Sequence, residues 1–162
     1  MDRALDCYRR ALAAHRAGGD VLGEADVLIS MGLAHAEAGR GGEALLHLTM
    51  AEQVAVTIDN PYERLRALIG TADVHRDSGR LDIAFKSYER ALDVARSVDF
   101  PLGSAHALAG LARTAFLSPR GSARARQYGE QAVALYRSLG ADAEAEKLLR
   151  LLADHSHSVH QP

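Results

Sequence analysis

The 162-residue sequence predicts an all-α fold, an α-solenoid of antiparallel helix pairs with about eight helices. Three observations predict it. Small and apolar residues return every forty positions. Within each unit they stand at helical spacing. The composition also favours helix, with 30 alanines, 4 prolines and no tryptophan, alanine being the strongest helix former.

The repeat is clearest in columns. Leu28, Leu68, Leu108 and Leu148 lie forty apart. Met31, Thr71, Leu111 and Leu151 follow, then Gly32, Ala72, Ala112 and Leu152, then His35, His75, Ala115 and His155. A second set holds Ala4, Ala44 and Ala84, then Tyr8, Leu48 and Tyr88, then Ala11, Ala51 and Ala91. The third unit needs one more residue, which gives Ala125, Gly129 and Ala132. Spacings of three and four put Leu68, Thr71, Ala72 and His75 on one helical face. Small column members let helix axes approach closely, as ridge-into-groove packing requires.

The first helix, 2–17, is a half-repeat. Its Leu5, Tyr8 and Leu12 would form an exposed apolar stripe, because the partner of that half-repeat is missing. Asp20 suits the N-cap of a helix over 21–38. Gly39 turns the chain into 41–57. The "DNP" of 59–61 supplies Asn60 as N-cap and Pro61 at the opening of a helix over 62–78. Gly79 turns into 81–97. The "DFP" of 99–101 opens 102–117 with Pro101. "SPRGS", 118–122, replaces the glycine turn before 121–139, and the last helix covers 141–154. The domain therefore runs over 1–154, with repeats at about 21–57, 62–97 and 102–139. Residues 155–162 are expected to form a flexible tail.

The small-large-small pattern resembles the tetratricopeptide repeat. In the second repeat the matching residues are Leu68, Thr71, Ala72, His75, Gly79, Leu81, Ala84, Tyr88 and Ala91. The usual aromatic positions of the first helix hold Leu and mostly His, and the period is forty. Such long versions resemble the C-terminal arrays of bacterial transcriptional regulators of the actinobacterial antibiotic regulatory type. The resemblance implies a right-handed superhelix whose first helices line a concave face, a surface of the kind that binds peptides and proteins.

That face would be lined by Asp26, Ile29 and Leu33 in the first repeat. Arg66, Ile69, Asp73 and Arg76 line it in the second, and His106 and Arg113 in the third. Arg66, Arg76 and Arg113 are expected as polar anchors, since arginine is favoured at interface hot spots. Ile29, Leu33 and Ile69 would form an apolar floor, with Gly70 and Gly110 leaving room for a ligand side chain. The chaperone-binding members of the family clamp a carboxylate with Lys and Asn. That pattern is missing, and no carboxylate clamp is expected.

Several function classes are disfavoured. The net charge of −2 gives no general attraction to nucleic acid. The basic cluster Arg120, Arg124 and Arg126 lacks an aromatic stacking platform. "HRD", 75–77, spells the start of a kinase catalytic loop, but Asp82 stands where that loop needs Asn. No G-x-S-x-G, phosphate loop or H-E-x-x-H is present. His35 and His75 would lie about 10 Å apart on neighbouring helices, too far to share a zinc. His155, His157 and His160 fall in the tail. Cys7 is the only cysteine, and the N-terminus lacks the apolar stretch of a signal peptide.

The expectation is a cytoplasmic, non-catalytic interaction scaffold without metal or cofactor. It would bind a protein or peptide and no membrane, with self-association through the end helix as a further property. The alternatives are a small-ligand-sensing domain and a structural or oligomerising array.

Overall fold

The computed structural model describes residues 2–118 and 121–158. Among them are eight α-helices and no strand. They are α1 (Asp2–Gly18), α2 (Val21–Glu37), α3 (Gly41–Thr57), α4 (Pro61–Asp77), α5 (Leu81–Ser97), α6 (Pro101–Phe116), α7 (Ser122–Ser138) and α8 (Asp142–Ser158). The all-α repeat architecture is the one the columns predict. The chain forms two compact units, Met1–Arg80 and Leu81–Pro162. Their boundary falls between α4 and α5, the two helices that the forty-residue period assigns to one repeat.

Helices α2 to α6 begin at 21, 41, 61, 81 and 101, so the structural period is twenty. The reason is a shared link. One residue takes a positive φ, and the next donates its N–H to the carbonyl five residues back, closing the helix end. Gly19, Gly39, Gly79 and Gly140 adopt φ of 69° to 73°. Asp59 and Asp99 do the same job at 51° and 48°. The closing bonds include Arg40 to His35 at 2.9 Å, Asn60 to Ala55 at 2.8 Å and Phe100 to Ala95 at 2.8 Å.

Asn60 serves two helices. Its N–H closes α3, and its side-chain Oδ1 accepts from the N–H groups of Tyr62 and Glu63 at 3.1 Å each. Asp20 caps α2 by accepting from Gly23 at 2.9 Å. Both N-caps match the sequence reading.

The link geometry makes an asymmetric prediction. Gly39→Ala should destabilise by about 1 kcal/mol, because a Cβ is disfavoured at positive φ. Asp59→Gly should be neutral or stabilising by a few tenths of a kcal/mol, relief of that strain being offset by a freer unfolded chain. Urea denaturation of both variants checks this, and an equal loss in the two would contradict it.

In the first unit, α2 packs on α3, α3 on α4, α1 on α2, and α4 also touches α2. Leu28, Ile29, Ala44, Leu48, Ala51, Ala67 and Val74 form a buried cluster. Leu48 sits between two glycines. A Cβ at Gly32 would lie 2.6 Å from its Cγ, and one at Gly70 would lie 2.9 Å from its Cδ2. The expected apolar stripe on α1 is not open. Leu5 is 2% exposed, Tyr8 is half-buried, and Leu12 packs on the cluster. Helix α1 packs on α2, and the stripe is at least partly covered.

In the second unit, α5 packs on α6, α6 on α7, and α7 on α8. Tyr88 of α5 covers Gly110 of α6, where a Cβ would lie 2.5 Å from the ring atoms Cδ1 and Cζ. At α7 the sizes are exchanged: Gly129 receives Leu152 of α8, whose Cδ2 would lie 2.7 Å from an added Cβ. Before α7, Gly121 is closely packed, and a Cβ there would run into the Ala115 carbonyl. Helix α8 continues to Ser158, past the expected end at 154, as a stretch free of Gly and Pro permits. Of the tail, 159–162 and the side chains of His155 and His157 lie outside the described residues.

Candidate functional site

On the forty-residue period, the first helices of the repeats would be α2, α4 and α6. In the first unit, α4 carries Arg66, Ile69, Asp73 and Arg76 at spacings that share one face. Arg66 bridges helices: its Nη1 donates to Asp26 Oδ1 of α2 at 2.7 Å and to Glu63 Oε2 at 2.8 Å. Partial burial opposes its charge, but the hydrogen bond to Asp26 and the charge of Glu63 outweigh this and hold its pKa above the ordinary value. The exposed ion pair contributes about 0–1 kcal/mol. Its clearer effect is to fix where the guanidinium points.

Arg76 is similarly occupied. It donates to Asp73 at 2.5 Å and pairs with Asp77 at 2.9 Å, with its side chain 15% exposed. Both predicted arginine anchors of α4 are thus neutralised by the chain's own carboxylates. Four acids, Asp26, Glu63, Asp73 and Asp77, face two arginines.

Leu33 is 41% exposed, and Ile69 is half-buried. Ile29 does not belong to the surface: it is 1% exposed and part of the core cluster. Gly70 offers no open floor either, because Leu48 and Leu33 fill the space above it, with Leu33 Cδ2 3.3 Å from an added Cβ. Gly110 is likewise filled by Tyr88.

In the second unit, α6 presents exposed His106 and half-buried Arg113. The His106 ring lies 5.7 Å from that of Tyr136 on α7, tilted by 51°. Burial pushes the Tyr136 hydroxyl up to about 12, against the opposing charge of Arg113. This phenol stays protonated, and it works as a packing surface for His106.

Of the histidine column, His35 lies in the interior and His75 is half-buried. His35 is buried and stacks on His47, ring centroids 5.2 Å apart and 23° between planes. The Nδ1 atoms of His35, His47 and His75 are buried without a hydrogen-bond partner among the described residues. Among those residues no group of three or more His, Cys, Asp or Glu could hold a metal ion. No described helix is long and apolar enough to cross a membrane.

Burial lowers the pKa of His47, helped by His35 and Arg9 against Glu43. Burial, then Arg80, lowers that of His75. A histidine that titrates lower when folded leaves the unfolded chain with more bound protons as pH falls below about 6.5. Stability should therefore be flat above neutrality and fall as pH drops through the 6.5 region. A His47→Phe, His75→Phe double variant should lose less between pH 7.5 and about 5.5 than the parent, by denaturation midpoint. A steeper loss in that variant would contradict this origin.

The sequence signal for the Arg66 bridge was present but unused: Asp26 and Arg66 occupy one column forty apart with opposite charges. The pairing of His106 with Tyr136 had no such signal. No curated protein matches the chain. Residues 63–138, from the first turn of α4 to the end of α7, match the family described as tetratricopeptide repeat, which supports a tetratricopeptide repeat domain in this chain.

Proposed function

We propose that the protein is a non-catalytic interaction scaffold that binds a protein or peptide partner on the first-helix face of a unit. The match over 63–138 carries this reading, since repeats of this family generally mediate protein–protein interaction. The repeats are read as α2–α3, α4–α5 and α6–α7, with α1 and α8 as half-repeats. On the resemblance of the forty-residue period, the setting is the repeat domain of a bacterial transcriptional regulator in the cytoplasm.

The geometry sharpens the partner. Arg66 and Arg76 are already paired, and residues 1–80 hold twelve Asp or Glu against nine Arg. A partner bearing Lys or Arg beside an apolar residue fits the acids and Leu33. Charge reversal at Arg66 is a poor probe, because it would place three carboxylates together and disturb α2 against α4.

A photo-reactive phenylalanine analogue at Leu33 should label a discrete polypeptide in bacterial extract, with labelling weakened by salt. The same group at Leu46, 59% exposed on α3, should not. Equal labelling from both positions would refute the assignment.

A further inference from the structure

We propose that α1 is a proton-released cover: mild acid charges the buried His35–His47 pair, and α1 swings off α2 about its link end while the rest of the first unit stays folded. Every group involved belongs to Met1–Arg80.

The device starts from a pair of rings that the packing holds neutral. His35 lies in the last turn of α2 and is 7% exposed. His47 of α3 stacks on it, with ring centroids 5.2 Å apart. The Nδ1 atoms of both are buried without a hydrogen-bond partner. A neutral imidazole can leave Nδ1 as a bare acceptor, whereas an imidazolium carries a proton on both nitrogens. A proton taken up by either ring therefore places a charged N–H where no acceptor waits, a costly state. A second proton would face the first across the stack. The positions forty before and forty after His47 hold Cys7 and Ser87, so the pair is not a feature of every repeat.

The charges that bear on His47 come from three helices. His35 of α2 and Arg9 of α1 oppose a proton there, and Glu43 of α3 favours one. Burial is the largest influence and outweighs Glu43, so His47 titrates below its ordinary value while α1 is docked. Arg9 pairs with Asp6 at 2.8 Å on its own helix, which moderates its effect. The α2–α3 link brings no acceptor, because Arg40 stands there with its Nε and Nη2 also buried without a partner.

Helix α1 is the element free to respond. It packs on α2, and its Leu12 lies against the cluster that Ala44 and Leu48 of α3 help to form. Two ion pairs tie it down, His15 to Asp20 and Arg16 to Glu24, each at 2.8 Å. Both sit at its link end, next to Gly18 and Gly19. Asp20 is held below the ordinary carboxylate range, first by the Gly23 N–H and then by His15, so that fastening persists in mild acid. The Arg9 pair, nearer the other end, is internal to α1 and fastens nothing. A histidine that titrates lower docked than undocked favours the undocked state below about pH 6.5, by up to about tenfold per pH unit.

The test measures a distance in the full chain. Cys7, exposed on α1 and the only cysteine, takes one spin label. Leu46→Cys on α3, at a position 59% exposed, takes the second. The two labels should show one distance at about pH 7.5. At about pH 5 a longer second population should appear, and it should vanish on return to neutrality. His47→Phe, which keeps a flat ring but cannot titrate, should abolish that population. Arg9→Gln and Glu43→Gln, both exposed, keep the test open should His47→Phe fold poorly. The first should move the midpoint to lower pH and the second to higher pH, because they remove charges of opposite sign beside His47. A Cys7→Ser chain labelled at Leu22→Cys on α2 and Leu46→Cys on α3 should keep its distance at both pH values. Four results would overturn the proposal: no second population at about pH 5, the same population in His47→Phe, midpoints moved the same way by Arg9→Gln and Glu43→Gln, or the α2–α3 pair lengthening in parallel.

Discussion

Gly110→Ala should destabilise the protein by about 2–3 kcal/mol, the upper part of the range for overfilling a packed core. Helix propensity alone gives the opposite sign, since alanine in a helix is better than glycine by about 0.5–1 kcal/mol. The direction of the change therefore tests the packing. A Cβ at Gly110 would meet the Tyr88 ring at 2.5 Å or less, and Tyr88 is 1% exposed, so the ring has no open side to move into. Tyr88→Ala by itself should cost about 3–5 kcal/mol through cavity formation. In that background Gly110→Ala should become neutral or favourable, because its methyl enters vacated space. The resulting coupling of about 2–3 kcal/mol is measurable by urea denaturation of the four species in a double-mutant cycle. Additive effects, or a stabilising Gly110→Ala in the parent, would remove Tyr88 from the account.

The helices and their inward faces were legible because repetition and helical spacing reinforce one another. Leu28, Leu68, Leu108 and Leu148 are all buried, as equivalent positions in equivalent helices should be. Depth was harder to read. A column states which residues correspond, but not how far each lies from solvent, and Ile29 is buried where Ile69 is half-covered. Glycine is ambiguous for the same reason. At Gly70 and Gly110 the missing side chain makes room for Leu48 and Tyr88, twenty-two residues earlier, rather than for a ligand. The twenty-residue period stayed hidden because two links use aspartate where the others use glycine. Asp59 and Asp99 read locally as parts of helix starts. Of the candidate face, the residues of α4 were legible but their pairing was not: reach and direction decide whether an arginine is an anchor or an internal brace.

Leu48→Ala should cost about 3–5 kcal/mol, the upper half of the range for buried leucine. The surroundings explain why the high end applies. Leu48 is fully buried on α3, and Gly32 of α2 and Gly70 of α4 both abut it. Neither glycine has a side chain that could lean into the vacated volume, so the cavity stays largely open and its lining loses contacts outright. Adding methyl groups should partly refill it. In the Leu48→Ala background, Gly70→Ala should recover about 1 kcal/mol, whereas in the parent it should be destabilising. Chemical denaturation of the single and double variants checks the reversal, and Gly70→Ala equally harmful in both would contradict it. The same glycine touches the proposed partner face, because an added Cβ would also lie 3.3 Å from Leu33 Cδ2. Stability and binding should therefore separate in the double variant. Leu48→Ala with Gly70→Ala regains stability from within, yet the new methyl still presses on Leu33. Photo-labelling from position 33 in that background should remain altered, tying the core column to the surface through one Cα.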